Sequence, residues 1–170
     1  MLSLKTRTTT RRSLSTAVRT LAATVLMAGG VAVASAAPAH ASAADCVHGA
    51  QGFVDIPDWM PNGTSQESFT MDPGTAAAAT IHLETASIQG QSRGYAAIIG
   101  NTLAGDQFWM DWTTSYSNGS ASGWTQCGPF TVGTGQVATT PAMRTDNSPA
   151  WRFRACGSRG GGAVRCTPWW

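Results

Sequence analysis

The stretch DQFWMDWT, residues 106–113, decides the fold. Read with a period of two, it sets Phe108, Met110 and Trp112 on one side and Trp109 and Asp111 on the other. A helix would scatter these residues around its circumference, whereas a half-buried strand sorts them between core and exterior. The same alternation recurs in TIHLETASI (80–88), where Ile81 and Leu83 oppose His82 and Glu84. It recurs again in WRFRAC (151–156), where Trp151, Phe153 and Ala155 oppose Arg152, Arg154 and Cys156. GYAAII (94–99) and WTQCGPF (124–130) read as further strands; GFVDI (52–56), SFTM (68–71), QVAT (136–139) and AVRCT (163–167) are weaker ones. Asn62-Gly63, Asp72-Pro73-Gly74 and Asn118-Gly119 supply turns between them. TAAAAT (75–80) suits a helix start by composition but is too short to stand alone. The expectation is an all-β fold, a small antiparallel β-sandwich or barrel of about eight short strands.

The N-terminus has the zones of an export signal. Lys5, Arg7, Arg11, Arg12 and Arg19 precede an apolar run from Leu21 to about Val33, too short for a membrane span. AHA (39–41) and ASA (41–43) are alternative cleavage sites, so residues 1–43 read as a signal peptide and 44–170 as one secreted domain. TRRSLS (10–15) partly matches a twin-arginine signal, with Ser15 where a large apolar residue is expected; twin-arginine and Sec export both stay open. Asp45 before Cys46 argues against lipidation. The domain beyond the signal holds six arginines, no lysine and nine acidic residues, a formal charge of −3. A nucleic-acid partner, or an anionic membrane after signal cleavage, therefore has no electrostatic basis.

Four cysteines in an exported domain read as two disulfides, which staple the fold. Three pairings are possible; Cys156 and Cys166 flank GSRGGGAVR and would face each other across a hairpin centred near Gly161, which favours Cys156–Cys166 with Cys46–Cys127. A zinc site would show local C-x-x-C or H-x-x-x-H pairs, and none is present, so no metal is expected. The chain shows no internal repeat and no linker that would divide it.

The Arg- and Ala-rich leader, WTQCGPF in mid-chain and WRFRACG…CTPWW at residues 151–170 together resemble small exported proteins of unassigned function that are common in actinobacteria. The resemblance covers most of the secreted domain. It implies export and a disulfide-stapled β fold, and it names no activity.

Catalytic signatures are sparse. G-x-S-x-G is absent, and His48 and His82 are the only histidines beyond the signal able to serve a nucleophile. His82 and Glu84 leave the same face of one strand and are the weak catalytic candidates; a solvated strand face is the preferred reading. Glu67 and Glu84 are the only glutamates, and no carboxylate pair stands out as one a glycosidase would hold roughly 5–9 Å apart. GTGQ (133–136) lacks the lysine of a phosphate loop, and no calcium loop is present, so no cofactor is expected.

All seven tryptophans lie in the secreted domain. Trp109 and Trp112 leave opposite faces of one strand, so at least one is expected outside the main core. Exposed indoles on a rigid sheet stack on the apolar faces of sugar rings, which makes Trp109, Asp111, Arg152, Arg154, Trp169 and Trp170 the candidate ligand-binding residues. They come together only if strands 106–113 and 151–156 are neighbours. The leading expectation is an extracellular, non-enzymatic protein that binds a polysaccharide or cell-wall glycan. The alternatives are a peptidase inhibitor offering Arg159 or Arg165 to an extracellular protease, and a small hydrolase using His82 and Glu84. Asn62-Gly63-Thr64 and Asn118-Gly119-Ser120 match the glycosylation pattern but read as turns.

Overall fold

A computed structural model describes residues 42–58, 60 and 62–170. The signal-peptide reading, apart from its last two residues, and Trp59 lie outside the described residues. The strands in chain order are β1 (Thr64–Met71), β2 (Ala79–Ile88), β3 (Gln91–Gly100), β4 (Asp106–Thr113), β5 (Tyr116–Ser117), β6 (Ser120–Ala121), β7 (Thr125–Val132), β8 (Ala138–Thr139), β9 (Met143–Arg144), β10 (Arg152–Ser158) and β11 (Val164–Cys166). One antiparallel sheet runs β1-β2-β3, with both β8 and β9 pairing along the far edge of β3. The second runs β11-β10-β4-β7. β5 and β6 form a separate small hairpin that turns on Asn118 and Gly119, both at positive φ, as the Asn-Gly pair predicts.

The two sheets share one core. Ile81 and Leu83 of β2, Ala96 and Ile98 of β3, Phe108 and Met110 of β4, and Phe153 and Ala155 of β10 are all buried in it. Those of β2, β4 and β10 are the residues that the alternation set together on one face of each strand, and each large one contributes roughly 1.5–3 kcal/mol by leaving water. Two glycines face crowded positions in this core. A Cβ on Gly94 would sit 3.6 Å from the Phe153 ring, and one on Gly157 would meet Gln107 O at 2.9 Å and Ile81 Cδ1 at 3.0 Å. Gly157 therefore has no room for a side chain.

The first sheet is also covered on its outer face. Residues 53–58 cross it as an arm, anchored where Val54 and Ala142 exchange backbone hydrogen bonds of 2.9 and 2.8 Å and where Asp58 accepts the Thr139 N–H at 3.1 Å. Beneath the arm, Ile88, Tyr95, Ala97 and Ala142 form a second buried cluster with Val54 and Ile56. Burial on both faces explains why β3 reads as a nearly unbroken apolar run.

Both disulfides match the expected pairing. Cys46–Cys127 spans 81 residues and ties the start of the described chain to β7. Cys156–Cys166 spans 10 and joins directly opposed residues of β10 and β11. Beyond the staple the tail follows β10: Thr167 N–H donates to Ala155 O, Ala155 N–H to Thr167 Oγ1, and Trp170 and Phe153 exchange backbone bonds of 2.9 and 3.1 Å.

One local expectation needs correction, while the short TAAAAT stretch forms no helix, as its length implied. GFVDI forms no ladder strand, because the arm lies across a sheet face and touches backbone only at the Val54 bridge. TAAAAT is a turn through Ala78 followed by the start of β2, since alanines there are pulled into the β1–β2 connection. The strand count exceeds eight because β5, β6 and β9 are only two residues long, below what alternation resolves.

Candidate functional site

β10 and β4 are neighbours in register, with Arg152 opposite Thr113, Arg154 opposite Asp111 and Cys156 opposite Trp109. That places the polar residues of both strands on the outer face of the second sheet. Arg154 donates from Nε and from its terminal nitrogen to Asp111 Oδ2, at 2.8 and 2.7 Å. Asp111 is 1 % exposed. Burial pushes its carboxyl above the ordinary 3.8, while Arg154 and the Trp109 indole N–H pull the other way. Its Oδ2 also lies 3.7 Å from Cys156 Sγ, so this carboxylate backs onto the staple.

The Arg154 guanidinium sits over two indoles, 5.0 Å from the Trp124 centroid and 4.5 Å from that of Trp169. Tyr116 continues the row, 6.1 Å from Trp169, and Arg152 lies over the Tyr116 ring at 5.8 Å. Cation–π contact fixes these rings in place without covering them. Trp124 stays 50 % exposed and Trp170 38 %.

At the end of the sandwich a cleft of about 570 Å³ opens beside this row. Its aromatic wall is Trp151, Phe153, Trp169 and Trp170; its polar wall is Ser92, Thr145, Asp146, Asn147 and Arg152. Trp151 is braced from behind by Trp112, at 5.1 Å between centroids, and by the Arg144 guanidinium at 4.7 Å. Arg144 also pairs with Asp146 at 3.8 Å. A smaller hollow of about 360 Å³ lies by Trp124, with Gln51, Thr113, Thr114 and Ser115 around it. Aromatic faces with a few convergent polar groups are the composition of a small-ligand site.

Of the residues singled out from sequence, Arg152, Trp169 and Trp170 meet at the cleft. Arg154 and Asp111 are spent on each other beside it. Trp109 is on the outer face as its position in the strand requires, yet only 7 % exposed, so it offers no stacking surface. Trp151, Asp146 and Asn147 were not singled out, although TDNSPAW (145–151) sets a polar turn directly before an aromatic strand start.

His82 and Glu84 do share a face of β2, but each is engaged elsewhere. Ser65 Oγ lies 3.1 Å from His82 Nδ1. Glu84 is buried and accepts from Gly63 N–H at 3.0 Å and from the Tyr95 hydroxyl at 2.9 Å. Burial, then the Glu84 carboxylate, holds the Tyr95 hydroxyl well above its ordinary 10. Among the described residues no hydrogen bond or ion pair joins His82 to Glu84. Arg159 is held by Asp72, Asp106 and the Ala77 carbonyl, whereas Arg165 is exposed over the Phe69 ring.

No family model, no curated protein and no solved structure matches this chain. Fold and site thus define the protein directly: a small antiparallel β-sandwich, stapled twice, with an aromatic-lined cleft at one end. No helix among the described residues is long and apolar enough to cross a membrane.

Proposed function

We propose that the protein is a secreted, non-catalytic binding domain that takes a polysaccharide or cell-wall glycan in the cleft at the end of the sandwich. The observation that carries this reading is the convergence of Trp151, Trp169 and Trp170 with Arg152, Asp146 and Asn147 around one open cavity. Indole faces match the C–H faces of sugar rings, and the amide, carboxylate and guanidinium groups match ring hydroxyls. The bracing of Trp151 and Trp169 by arginines keeps the platform ordered before ligand arrives, which lowers the entropy cost of binding. Two disulfides suit the oxidising exterior to which the leader would deliver the domain. The inhibitor reading loses Arg159, which is tied to two carboxylates and is not free to enter a protease pocket, and keeps only the exposed Arg165.

The test is retention of the purified domain by insoluble chitin, cellulose and peptidoglycan, with tryptophan emission followed on adding soluble fragments. Retention on at least one matrix is expected, with a shift in emission, and Trp170→Ala should weaken it roughly tenfold or more. No retention on any of the three, with the domain shown to be folded, overturns the proposal.

A further inference from the structure

We infer that the ligand of this cleft is an acidic glycan whose carboxylate is received by Arg152. The inference rests on the glycan reading and narrows it to a substrate class. It follows from matching each arginine to its carboxylate. Arg154 is paired with Asp111, Arg159 with Asp72 and Asp106, and Arg144 with Asp146. All nine acidic residues lie among the described residues, and none of them lies within ion-pair distance of Arg152. Arg93 and Arg165 are also without a carboxylate. Arg93, however, is buried and turned to Gly52 O and Gln91, and Arg165 serves Thr70 O away from the cleft.

Arg152 alone is a cleft-lining cation with no counter-ion. One terminal nitrogen donates to Trp151 O at 3.0 Å, which fixes the side chain. The guanidinium carries five N–H groups in a planar fork, and no other of them donates to a described residue. That fork matches a carboxylate bidentately, and it stands beside indoles on which the sugar ring would lie. The one acidic side chain of the cleft, Asp146, is paired with Arg144. Arg152 is thus a cation with no acidic side chain as partner in a domain whose formal total is −3, and its free fork is the complement of an anionic ligand.

The experiment titrates the intact secreted domain, by tryptophan fluorescence, with carboxylate-bearing chains and their charge-free counterparts. The probes are oligogalacturonide against its methyl ester, hyaluronan hexasaccharide and muropeptide against their carboxyl-reduced forms, and chitohexaose and cellohexaose as neutral chains. The expected result is that at least one acidic chain binds tenfold or more tightly than its uncharged counterpart. Arg152→Gln should abolish that preference, Arg152→Lys should restore part of it, and raising NaCl from about 0.05 to 0.5 M should weaken only the acidic chain. Equal binding of acidic and uncharged forms, or binding of neutral chains alone, overturns the acidic-ligand inference and leaves the glycan reading standing. No binding by any chain, acidic or neutral, removes both.

Discussion

Asp111 shows how one residue can serve the site without entering it. Its carboxylate is nearly inaccessible, yet it holds Arg154, and Arg154 in turn holds Trp124 and Trp169. Because burial raises its pKa in the folded state above 3.8, the native protein binds a proton that the unfolded chain has already released. The contribution of this group to stability is therefore present at acid pH and declines as pH rises from about 3.8 through the raised native value. Urea unfolding at closely spaced pH values should show the wild-type protein losing stability relative to Asp111→Asn across that window. A flat difference would mean that the Arg154 pairing cancels desolvation, and one that grows with pH that it outweighs it.

At the scale of elements, connections matter more than strands. Arg159, in the turn between β10 and β11, binds Asp72 in the β1–β2 connection and the buried Asp106 at the start of β4, so a single side chain fastens both sheets at one end. Arg159→Ala leaves Asp106 buried without its cation and should cost about 3 kcal/mol in urea unfolding, with secondary structure unchanged by circular dichroism. Nothing in the sequence announces this hub, since GSRGGGAVR reads as a flexible loop. Strands of the second sheet were legible for a definite reason. β4 and β10 turn apolar residues to the core and carry charged ones among those on the outer face, so their alternation survives in the sequence, and the four cysteines and the Asn118-Gly119 turn carry their own geometry. The arm of residues 53–58 was not legible, because a segment lying across a sheet has no period, and neither was β9, whereas β8 falls within the weak strand read at QVAT. The cleft was half legible: Trp169, Trp170 and Arg152 stood out as residue types, whereas Asp146, Asn147 and Trp151 reach it through a loop whose path only the tertiary fold sets.

For the whole molecule, the two staples set the margin of stability. In the chain-entropy model, closing 81 residues through Cys46–Cys127 contributes about 4.5 kcal/mol, and closing 10 through Cys156–Cys166 about 2.7. Their sum rivals the total stability of roughly 5–15 kcal/mol usual for a domain of this size. Replacing Cys46 and Cys127 by serine should therefore destabilise more than replacing Cys156 and Cys166, as read by urea midpoints. Full reduction with dithiothreitol should leave the domain largely unfolded at 37 °C by circular dichroism.

The placement of Cys156–Cys166 has a mechanical consequence. The stretch after Cys166 is held to β10 by four hydrogen bonds, and it carries Trp169 and Trp170, one wall of the cleft. Tension on Trp170 would peel those bonds from the end inward and then stop at the covalent crosslink, with β10 and β11 still loaded in parallel behind it. The molecule thus has a wall that unzips and rezips like a flap riveted along one edge, and a tethered polymer could drag that wall open without unravelling the sandwich that carries it.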